Sequence, residues 1–241
     1  MLFNASAANA ENCPTKKIDR YGFVKQVYDG DTLRLANGDK IRLIGINAPE
    51  MNYKSGDPDP YAKQATQYLR KKVLNKRVGI RYGTSPKDKY KRHLAHVFLS
   101  DGTNIQAELI RNGFAFNIAI PPNLWQQRCY QSLEKNAQTH SKGLWQKKFY
   151  RPLNAIHINK QTLGFSRVKG TIQSIKETKK SYWLNLTDKM ALRIDKRDMK
   201  YFSSFDQHKW RGKEIIAKGW ISYRKKRYSM RIKHPAAIEI L

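Results

Sequence analysis

The chain has 241 residues, of which 47 are Lys or Arg and 19 are Asp or Glu, giving a formal net charge of +28. A hydrophobic fraction of 40% is enough for packed cores and argues against a disordered basic tail. The sequence has no apolar run of about 18 residues, which excludes a membrane-spanning helix, and two cysteines are too few for a disulfide-dense scaffold. The charge favours a polyanionic partner: nucleic acid first, with anionic membrane surfaces or acidic glycans as alternatives.

The N-terminal segment has features of a targeting sequence. Residues 8–10, Ala-Asn-Ala, have the small-x-small form of a signal-peptidase site, behind a short apolar stretch. Residues 1–19 are interpreted as the remnant of an export signal, with a disordered leader as the alternative, so we expect a periplasmic or secreted protein. In that setting Cys13 and Cys129 are expected to form one disulfide; in a reducing cytosol they would be free thiols.

The segment that follows reads as mainly β with added helices. Strands are expected at 23–28, 32–36, 40–46, 78–82 and 94–99. Helices are expected at 61–74, 104–111 and 125–140. The second and third strands flank Asn37-Gly38, a strong signal for a two-residue hairpin loop.

A second strand-rich domain is predicted at 167–241. It follows residues 148–166, which show little periodicity and are predicted to be a linker. Strands are expected at 168–175, 182–186, 191–194, 214–223 and 228–232, with one short helix between 198 and 207. Five strands with a helix between the third and fourth resemble a small OB-like β-barrel, a fold that does not by itself establish a ligand.

The hairpin predicts which side chains share a face. A two-residue loop pairs residue 36 with residue 39, so Asp31 is expected opposite Ile44 and Asp29 opposite Ile46. This register places both carboxylates and the Arg42 side chain on one side of the ribbon.

A proline is expected to end the third strand. Because Pro49 cannot donate to a ladder, the strand should stop near Asn47 and carry Glu50 around the open end of the hairpin toward Asp29 and Asp31. Carboxylate and amide oxygens suit a hard cation such as Ca²⁺, and a neighbouring arginine suits a phosphate. The alternative is an ordinary Asp-Gly-Asp turn with a salt bridge.

Three separated segments occur in a set order: Asp-Gly-Asp-Thr at 29–32, Arg-Leu-Ile-Gly-Ile-Asn-Ala-Pro-Glu at 42–50, and Asp-Lys-Tyr-Lys-Arg-His-Leu-Ala at 88–95. In sequence and spacing they resemble the signature segments of the thermonuclease (staphylococcal nuclease) family, and the likeness covers roughly residues 20–147. The resemblance implies a five-strand OB-type barrel with three helices that hydrolyses phosphodiester bonds of DNA and RNA with Ca²⁺.

The resemblance also implies a metal site. Matched residue by residue, Asp31 and Asn47 would be metal ligands, helped by the carbonyl of Ala48, with Asp29 behind them. The family usually has aspartate where this chain has Asn47. Because an amide oxygen brings no charge, the affinity for Ca²⁺ is expected to fall.

Three further residues would be catalytic by the same resemblance: Arg42, Glu50 and Arg92. Glu50 would position or deprotonate the attacking water, and the two arginines would neutralise charge that develops on the phosphorus oxygens. Lys91 stands where the family usually has glycine, which is expected to alter the loop that carries Arg92.

Two basic segments with aromatic neighbours predict contacts with nucleic acid. The residues assigned to this role are Lys89, Tyr90, Lys91, Arg224, Lys225, Lys226 and Arg227. In the second domain Trp183 and Trp220 are either part of a stacking platform or part of the barrel core.

The sequence therefore predicts a Ca²⁺-dependent nuclease that acts on DNA, RNA or both, with a C-terminal domain that aids nucleic-acid binding. No obligate protein partner is expected. The alternative is a non-catalytic nucleic-acid-binding protein in which the metal site is weakened at Asn47.

Overall fold

The computed structural model describes residues 12–53 and 56–241. The small-x-small motif at 8–10 lies outside the described residues. Within them, no helix is both long enough and apolar enough to span a membrane. The described chain forms two compact units: residues up to 118 with 122–149, and residues 119–121 with 150–241.

In the first unit, five strands close into a barrel in the order β1-β2-β3-β6-β5. The strands of this unit are β1 Arg20–Val27, β2 Thr32–Leu35, β3 Lys40–Leu43, β4 Ile46–Asn47, β5 Arg77–Lys87, β6 His93–Phe98 and β7 Phe116–Asn117. Barrel neighbours are antiparallel except β3 and β6, which run parallel. Strands β4 and β7 pair with each other outside the barrel. Apolar side chains such as Leu33, Ile41 and Val97 are fully buried in the core.

Three helices complete the first unit: α1 Ala62–Val73, α2 Ile105–Arg111 and α3 Gln127–Thr139. The spacing of Ala65, Leu69 and Val73 gives α1 one buried face. Helix α2 begins after Asn104, whose side chain accepts a hydrogen bond from the Ala107 N–H. The predicted fold class, a five-strand barrel with three helices, is confirmed.

The β2–β3 hairpin differs from its prediction by one residue. Leu35 N–H donates to the Asp39 carbonyl, so the loop has three residues instead of two. Gly38 has a φ of +90°, the left-handed conformation that closes a three-residue loop of this kind. The predicted pairing of Asp31 with Ile44 is therefore wrong: Asp31 lies opposite Leu43, whose N–H donates to its carbonyl.

The second unit is an eight-stranded sheet in the order β10-β11-β12-β14-β13-β9-β8, with β15 paired to β13. The strands are β8 Leu153–Asn154, β9 Gly164–Thr171, β10 Ser174–Glu177, β11 Ser181–Asn185, β12 Met190–Asp195, β13 Glu214–Arg224, β14 Arg227–Ile232 and β15 Ile238–Ile240, with a short helix α4 at Gln207–Trp210. Strands β12 and β14 run parallel, as β3 and β6 do in the first unit. The predicted second β domain is confirmed as a sheet of OB-like strand order.

One predicted strand of the second unit is bent into two. Strands β9 and β10 are joined by Ile172 and Gln173, whose N–H groups donate to the Lys213 and Asn185 carbonyls. The bent segment therefore pairs with β13 at its start and with β11 at its end. The segment 148–166, predicted as a linker, contains β8 and several 3-10 turns. A strand of two residues is too short to produce a periodic pattern.

Candidate active site

Asp31 carries its carboxylate into the end of the first barrel, where the residue is only 6% exposed. The Ala48 N–H donates to Oδ2 at 2.9 Å and the Thr32 hydroxyl donates to Oδ1 at 3.1 Å. Asp29 lies next to it and accepts a hydrogen bond from the Asp31 N–H at 2.9 Å. Burial raises the pKa of Asp31 to about 7, against the opposing charge of Arg42 and with a contribution from the Asp29 carboxylate.

Arg42 links this carboxylate to the chain that follows β3. Its Nη2 lies 2.9 Å from Asp31 Oδ2 and donates to Asn47 Oδ1 at 3.3 Å. Its Nη1 donates to the carbonyls of Leu43 and Ile46. By register Arg42 faces away from Asp31, but β3 ends one residue later, so the side chain can fold back across the end of the ribbon.

Two glycines allow the backbone to pack closely around these groups. Gly45 has a φ of +80°, and a Cβ there would lie 2.8 Å from the Tyr130 ring. At Gly30, between the two aspartates, a Cβ would lie 2.6 Å from the Ala48 side chain and 2.8 Å from that of Ala65. A side chain at either position would displace the segment that holds the Asp31 carboxylate.

Glu50 begins a loop that is closed by Asp59. Glu50 N–H donates to Asp59 Oδ2 at 3.1 Å, and Asp59 N–H donates to the Glu50 carbonyl at 2.9 Å. Although Glu50 has an open face to solvent, the protein around its carboxyl removes enough water to raise its pKa. Asp29 and Asp59 raise this pKa further, while Arg42 and Arg92 lower it, so the Glu50 carboxyl is subject to two negative and two positive charges.

Arg92 is held in the turn between β5 and β6 by Asp88. The Asp88 carboxylate accepts hydrogen bonds from the Tyr90 N–H at 2.9 Å, the Arg92 N–H at 3.0 Å and Arg92 Nε at 2.8 Å. Tyr90 is 67% exposed, with Lys89 Nζ 4.8 Å from its ring centroid. Lys91 has a φ of +64°, the conformation that glycine adopts most easily.

The structure thus brings Asp29, Asp31, Arg42, Asn47, Ala48, Glu50 and Arg92 into one region of the first unit. Residues 224–227 belong to the second unit, where Lys225 and Lys226 have φ values of 51° and 61° in the β13–β14 turn. Sequence reasoning missed Asp59 and Asp88 as the groups that hold Glu50 and Arg92. An aspartate at the start of a turn is the signal that could have identified Asp88.

The oxygen atoms at this site suit a hard cation. Among residues 12–53 and 56–241, no group of three or more His, Cys, Asp or Glu side chains forms a ready metal cluster. The available donors are the carboxylates of Asp29 and Asp31, the Asn47 amide oxygen and the Ala48 carbonyl, and such a mixture is usual for Ca²⁺. The carboxylates of Asp29 and Asp31 lie together, and the guanidinium of Arg42 pairs with the Asp31 carboxylate. One positive charge beside two carboxylates leaves a donor set that fits a cation.

Comparison with known proteins agrees with this geometry. A family model described as staphylococcal nuclease homologue matches residues 40–147. The chain is 34% identical over 127 residues to a thermonuclease of Staphylococcus intermedius, a match that covers 52% of this chain and 75% of that protein. The chain belongs to the staphylococcal nuclease family. The predicted resemblance is therefore confirmed.

Two further relatives have similar coverage. A thermonuclease of Staphylococcus hyicus is 29% identical over 146 residues, covering 59% of this chain and 82% of that protein. An uncharacterized endonuclease of Escherichia coli O157:H7 is 30% identical over 141 residues, covering 55% and 81%. The predicted enzyme class agrees with these names. The staphylococcal nuclease family match includes Arg42, Asn47, Glu50 and Arg92, and it ends before residues 150–241 of the second unit.

Proposed function

We propose that the protein is a Ca²⁺-dependent nuclease that hydrolyses phosphodiester bonds of DNA, RNA or both, and that its second unit aids nucleic-acid binding. One observation carries this proposal: the positive charges of Arg42 and Arg92 both act on the Glu50 carboxyl, whose pKa is raised by the loss of water around it. A carboxylate beside two arginines can act on a water molecule and on a phosphate at the same place.

In the proposed reaction, Glu50 orients the attacking water and accepts its proton as the water oxygen bonds to phosphorus. Arg42 and Arg92 donate hydrogen bonds to the non-bridging phosphate oxygens, where negative charge increases as the bond to the leaving oxygen breaks. Asp31, Asn47 and the Ala48 carbonyl would hold Ca²⁺, which when bound supplies further charge neutralisation at the phosphate. The leaving oxygen takes a proton from solvent.

The net charge supports the proposed substrate class, and the disulfide supports the proposed export of the protein. The net charge of +28 favours association with a polyanion such as nucleic acid. The disulfide between Cys13 and Cys129 favours an oxidising compartment, in agreement with an exported protein.

A non-catalytic nucleic-acid-binding protein is the second candidate. It is favoured by Asn47, whose amide brings no charge to the metal site and whose Oδ1 already accepts a hydrogen bond from Arg42. In this case the basic surface would retain nucleic acid while the weakened site would not support hydrolysis.

Plasmid DNA and single-stranded DNA, incubated with Ca²⁺ or with EGTA, distinguish the two candidates. We expect cleavage by the wild-type protein with Ca²⁺ and loss of cleavage in EGTA or in Glu50→Gln. Glu239→Gln, at an exposed position of β15, is the matched control and should cleave normally. Undiminished cleavage in EGTA or by Glu50→Gln would overturn the assigned chemistry. Retarded but intact DNA in every lane would support the second candidate.

A further inference from the structure

One outer face of the second unit carries an aromatic and basic row across four strands. In register, Lys176 of β10 lies opposite Trp183 of β11, Trp183 opposite Arg193 of β12, and Arg193 beside Arg231 of β14. Cross-strand partners share a face, so the four side chains stand on the same side of the sheet. Trp183 is therefore outside the core of the second unit, in contrast to Leu184, which is fully buried.

Beside this row lies a second row of short side chains. Its members are Ser174, Asn185, Ala191, Ser229 and Ser222, paired in this order across five strands. Short side chains make this line lower than the aromatic and basic row next to it. Ala191, in the middle of this second row, is fully buried, whereas Ser174 and Ser222 at its two ends are exposed.

Arg227 extends over this second row toward Trp183. Its Nη2 donates to Asn185 Oδ1 at 2.7 Å, and its guanidinium carbon lies 5.8 Å from the Trp183 ring centroid. The Arg193 guanidinium carbon lies at the same distance from this ring. The tryptophan is thus oriented by two arginines instead of by apolar packing.

The cations of this face differ in how strongly they are already paired. Arg193 and Arg231 both contact the Asp195 carboxylate, at 2.9 Å and 2.6 Å. Within the described residues, no carboxylate forms an ion pair with Lys176 or Arg227. These two side chains retain positive charge for a ligand, while Arg193 mainly orients the ring.

We propose that this face binds single-stranded nucleic acid, with one unpaired base stacked on Trp183 and the adjoining phosphates contacted by Arg227 and Lys176. The inference rests on the proposed function for its substrate class, but it assigns the contact to the sheet face instead of to the tip of the β13–β14 turn. Stacking on an aromatic ring requires an exposed base face, which a single strand offers and an intact duplex does not. The basic side chains complement the phosphate backbone.

The test measures the binding of a fluorescein-labelled 15-nucleotide oligothymidylate by anisotropy. The full chain is used with Glu50→Gln and in EGTA, so that cleavage does not interfere. Trp183→Leu should weaken binding about tenfold, whereas Trp183→Phe, which keeps an aromatic face, should stay within about threefold of the parent. A duplex of equal length should show less than about a twofold change with Trp183→Leu.

Charge is tested separately from stacking. Arg227→Ala should reduce the slope of log K against log salt by about one, because one phosphate contact is lost. Lys209→Ala, whose side chain is 83% exposed at α4, removes the same charge elsewhere and should affect the slope less.

Three results would overturn the inference: unchanged binding by Trp183→Leu, equal losses for single strand and duplex, or no difference between Trp183→Leu and Trp183→Phe. Thermal unfolding of each variant shows whether the fold is kept, and Arg227→Ala keeps the inference testable if Trp183→Leu unfolds. Cleavage by the wild-type protein is measured in parallel. If it fails while the Trp183 effect remains, the proposed nuclease function is wrong and the binding face stands.

Discussion

Asn47 decides how much negative charge the proposed metal site offers. The residue is 4% exposed, and its Oδ1 accepts a hydrogen bond from Arg42 Nη2, which also pairs with the Asp31 carboxylate. Asn47→Asp adds a carboxylate to the donor set, so we expect Ca²⁺ affinity to rise by about tenfold as ligand charge increases. Calorimetric titration with Ca²⁺ measures the change, and Asn136→Asp on the exposed side of α3 is the control. An affinity equal to that of the wild-type protein would show that residue 47 does not contact the cation.

His96 makes the stability of the first barrel depend on pH. The ring is 1% exposed, its Nδ1 lies 2.8 Å from the Tyr130 hydroxyl, and burial lowers its pKa to about 3, with a smaller effect from Arg81. Between pH 6.5 and 3 the unfolded chain binds a proton that the native ring does not, so stability decreases as the pH falls through this range.

The contribution of His96 can be isolated by substitution. His96→Gln should reduce the pH dependence of the free energy of unfolding by up to about 1.4 kcal/mol per pH unit between pH 6 and 4. Urea unfolding at several pH values measures it, with the exposed His157→Gln as control. Parallel pH profiles for wild type and His96→Gln would contradict the assignment.

At the scale of elements, the β5–β6 turn carries a conformational cost at Lys91. A non-glycine residue at a φ of +64° costs on the order of 1 kcal/mol, so Lys91→Gly should raise the free energy of unfolding by about 0.5–1 kcal/mol. Lys89→Gly, in the same turn without positive φ, should instead lower it. Urea denaturation compares the two, and a loss of stability in both variants would show that the turn is not strained at Lys91.

The loop from Glu50 to Asp59 positions the proposed base through its backbone. Asp59 Oδ2 accepts from the Glu50 N–H, and Asp59 Oδ1 accepts from Asn52 Nδ2 at 3.1 Å. Asp59→Asn weakens both bonds with little change in size, and we expect kcat to fall about tenfold with KM little changed, because positioning and not substrate binding is affected. Asp57→Asn in the same loop is the control. A rise in KM at constant kcat would place Asp59 in substrate binding instead.

Local sequence signals predicted elements better than their connections. The alternation of apolar residues located all five barrel strands of the first unit, because a half-buried strand repeats every second residue. Some strand ends were wrong: β3 stops at Leu43 instead of residue 46, and β5 continues to Lys87 instead of residue 82. The hairpin register was missed by one residue, since Asn37-Gly38 fits both a two-residue loop and the three-residue loop found here. The bend after Ile172 was missed although the alternation shifts there: Val168 and Ile172 share one parity, and Ile175, which packs against the same core, has the other.

The candidate site was predictable only in part, because local sequence signals cover only those of its residues that are close together along the chain. Asp31, Asn47 and Glu50 lie close together along the chain, and their convergence was predicted from a hairpin register that is one residue out and from a strand expected to end near Asn47. In the structure β3 ends at Leu43, and the chain turns at Gly45, which has a φ of +80°. Arg92 returns to Glu50 only through the parallel pairing of β3 with β6, which no local pattern contains. The resemblance to a family supplied this long-range relation, because the order of three segments implies a fold.

At the scale of the whole molecule, the two units share one strand order. In the first unit β3 runs parallel to β6, and in the second β12 runs parallel to β14. The first strand of each unit pairs with two neighbours: β1 with β2 and β5, and the bent β9–β10 segment with β13 and β11. The parallel pair brings together residues far apart in sequence in both units. In the first unit these are Arg42 and the turn before β6; in the second they are Arg193 and Arg231. A shared topology thus supports a reactive site in one unit and the proposed binding face in the other.

The disulfide ties the start of the described chain to the last helix of the first unit. Cys13 and Cys129 have Cα atoms 5.8 Å apart and close a loop of 116 residues. The segment around Cys13 is also held by hydrogen bonds from Asn104 Nδ2 to the Cys13 carbonyl and from Gln126 Nε2 to the Pro14 carbonyl, both at 2.9 Å. The native structure therefore keeps this segment in place by polar contacts as well as by the covalent bond.

Removal of the disulfide should act mainly on the unfolded chain. Cys13→Ala with Cys129→Ala frees a loop that spans most of the first unit, and we expect the free energy of unfolding to fall by roughly 3–5 kcal/mol. Urea unfolding with and without dithiothreitol measures it: the reductant should destabilise the wild-type protein and leave the double variant unchanged. If the wild-type protein were equally stable in both conditions, the loop-closure argument would be wrong, and the hydrogen bonds from Asn104 and Gln126 would account for the order of this segment. Hydrolysis by the reduced protein at low temperature should persist, because the disulfide joins the segment before β1 to α3, and none of the proposed site residues belongs to either.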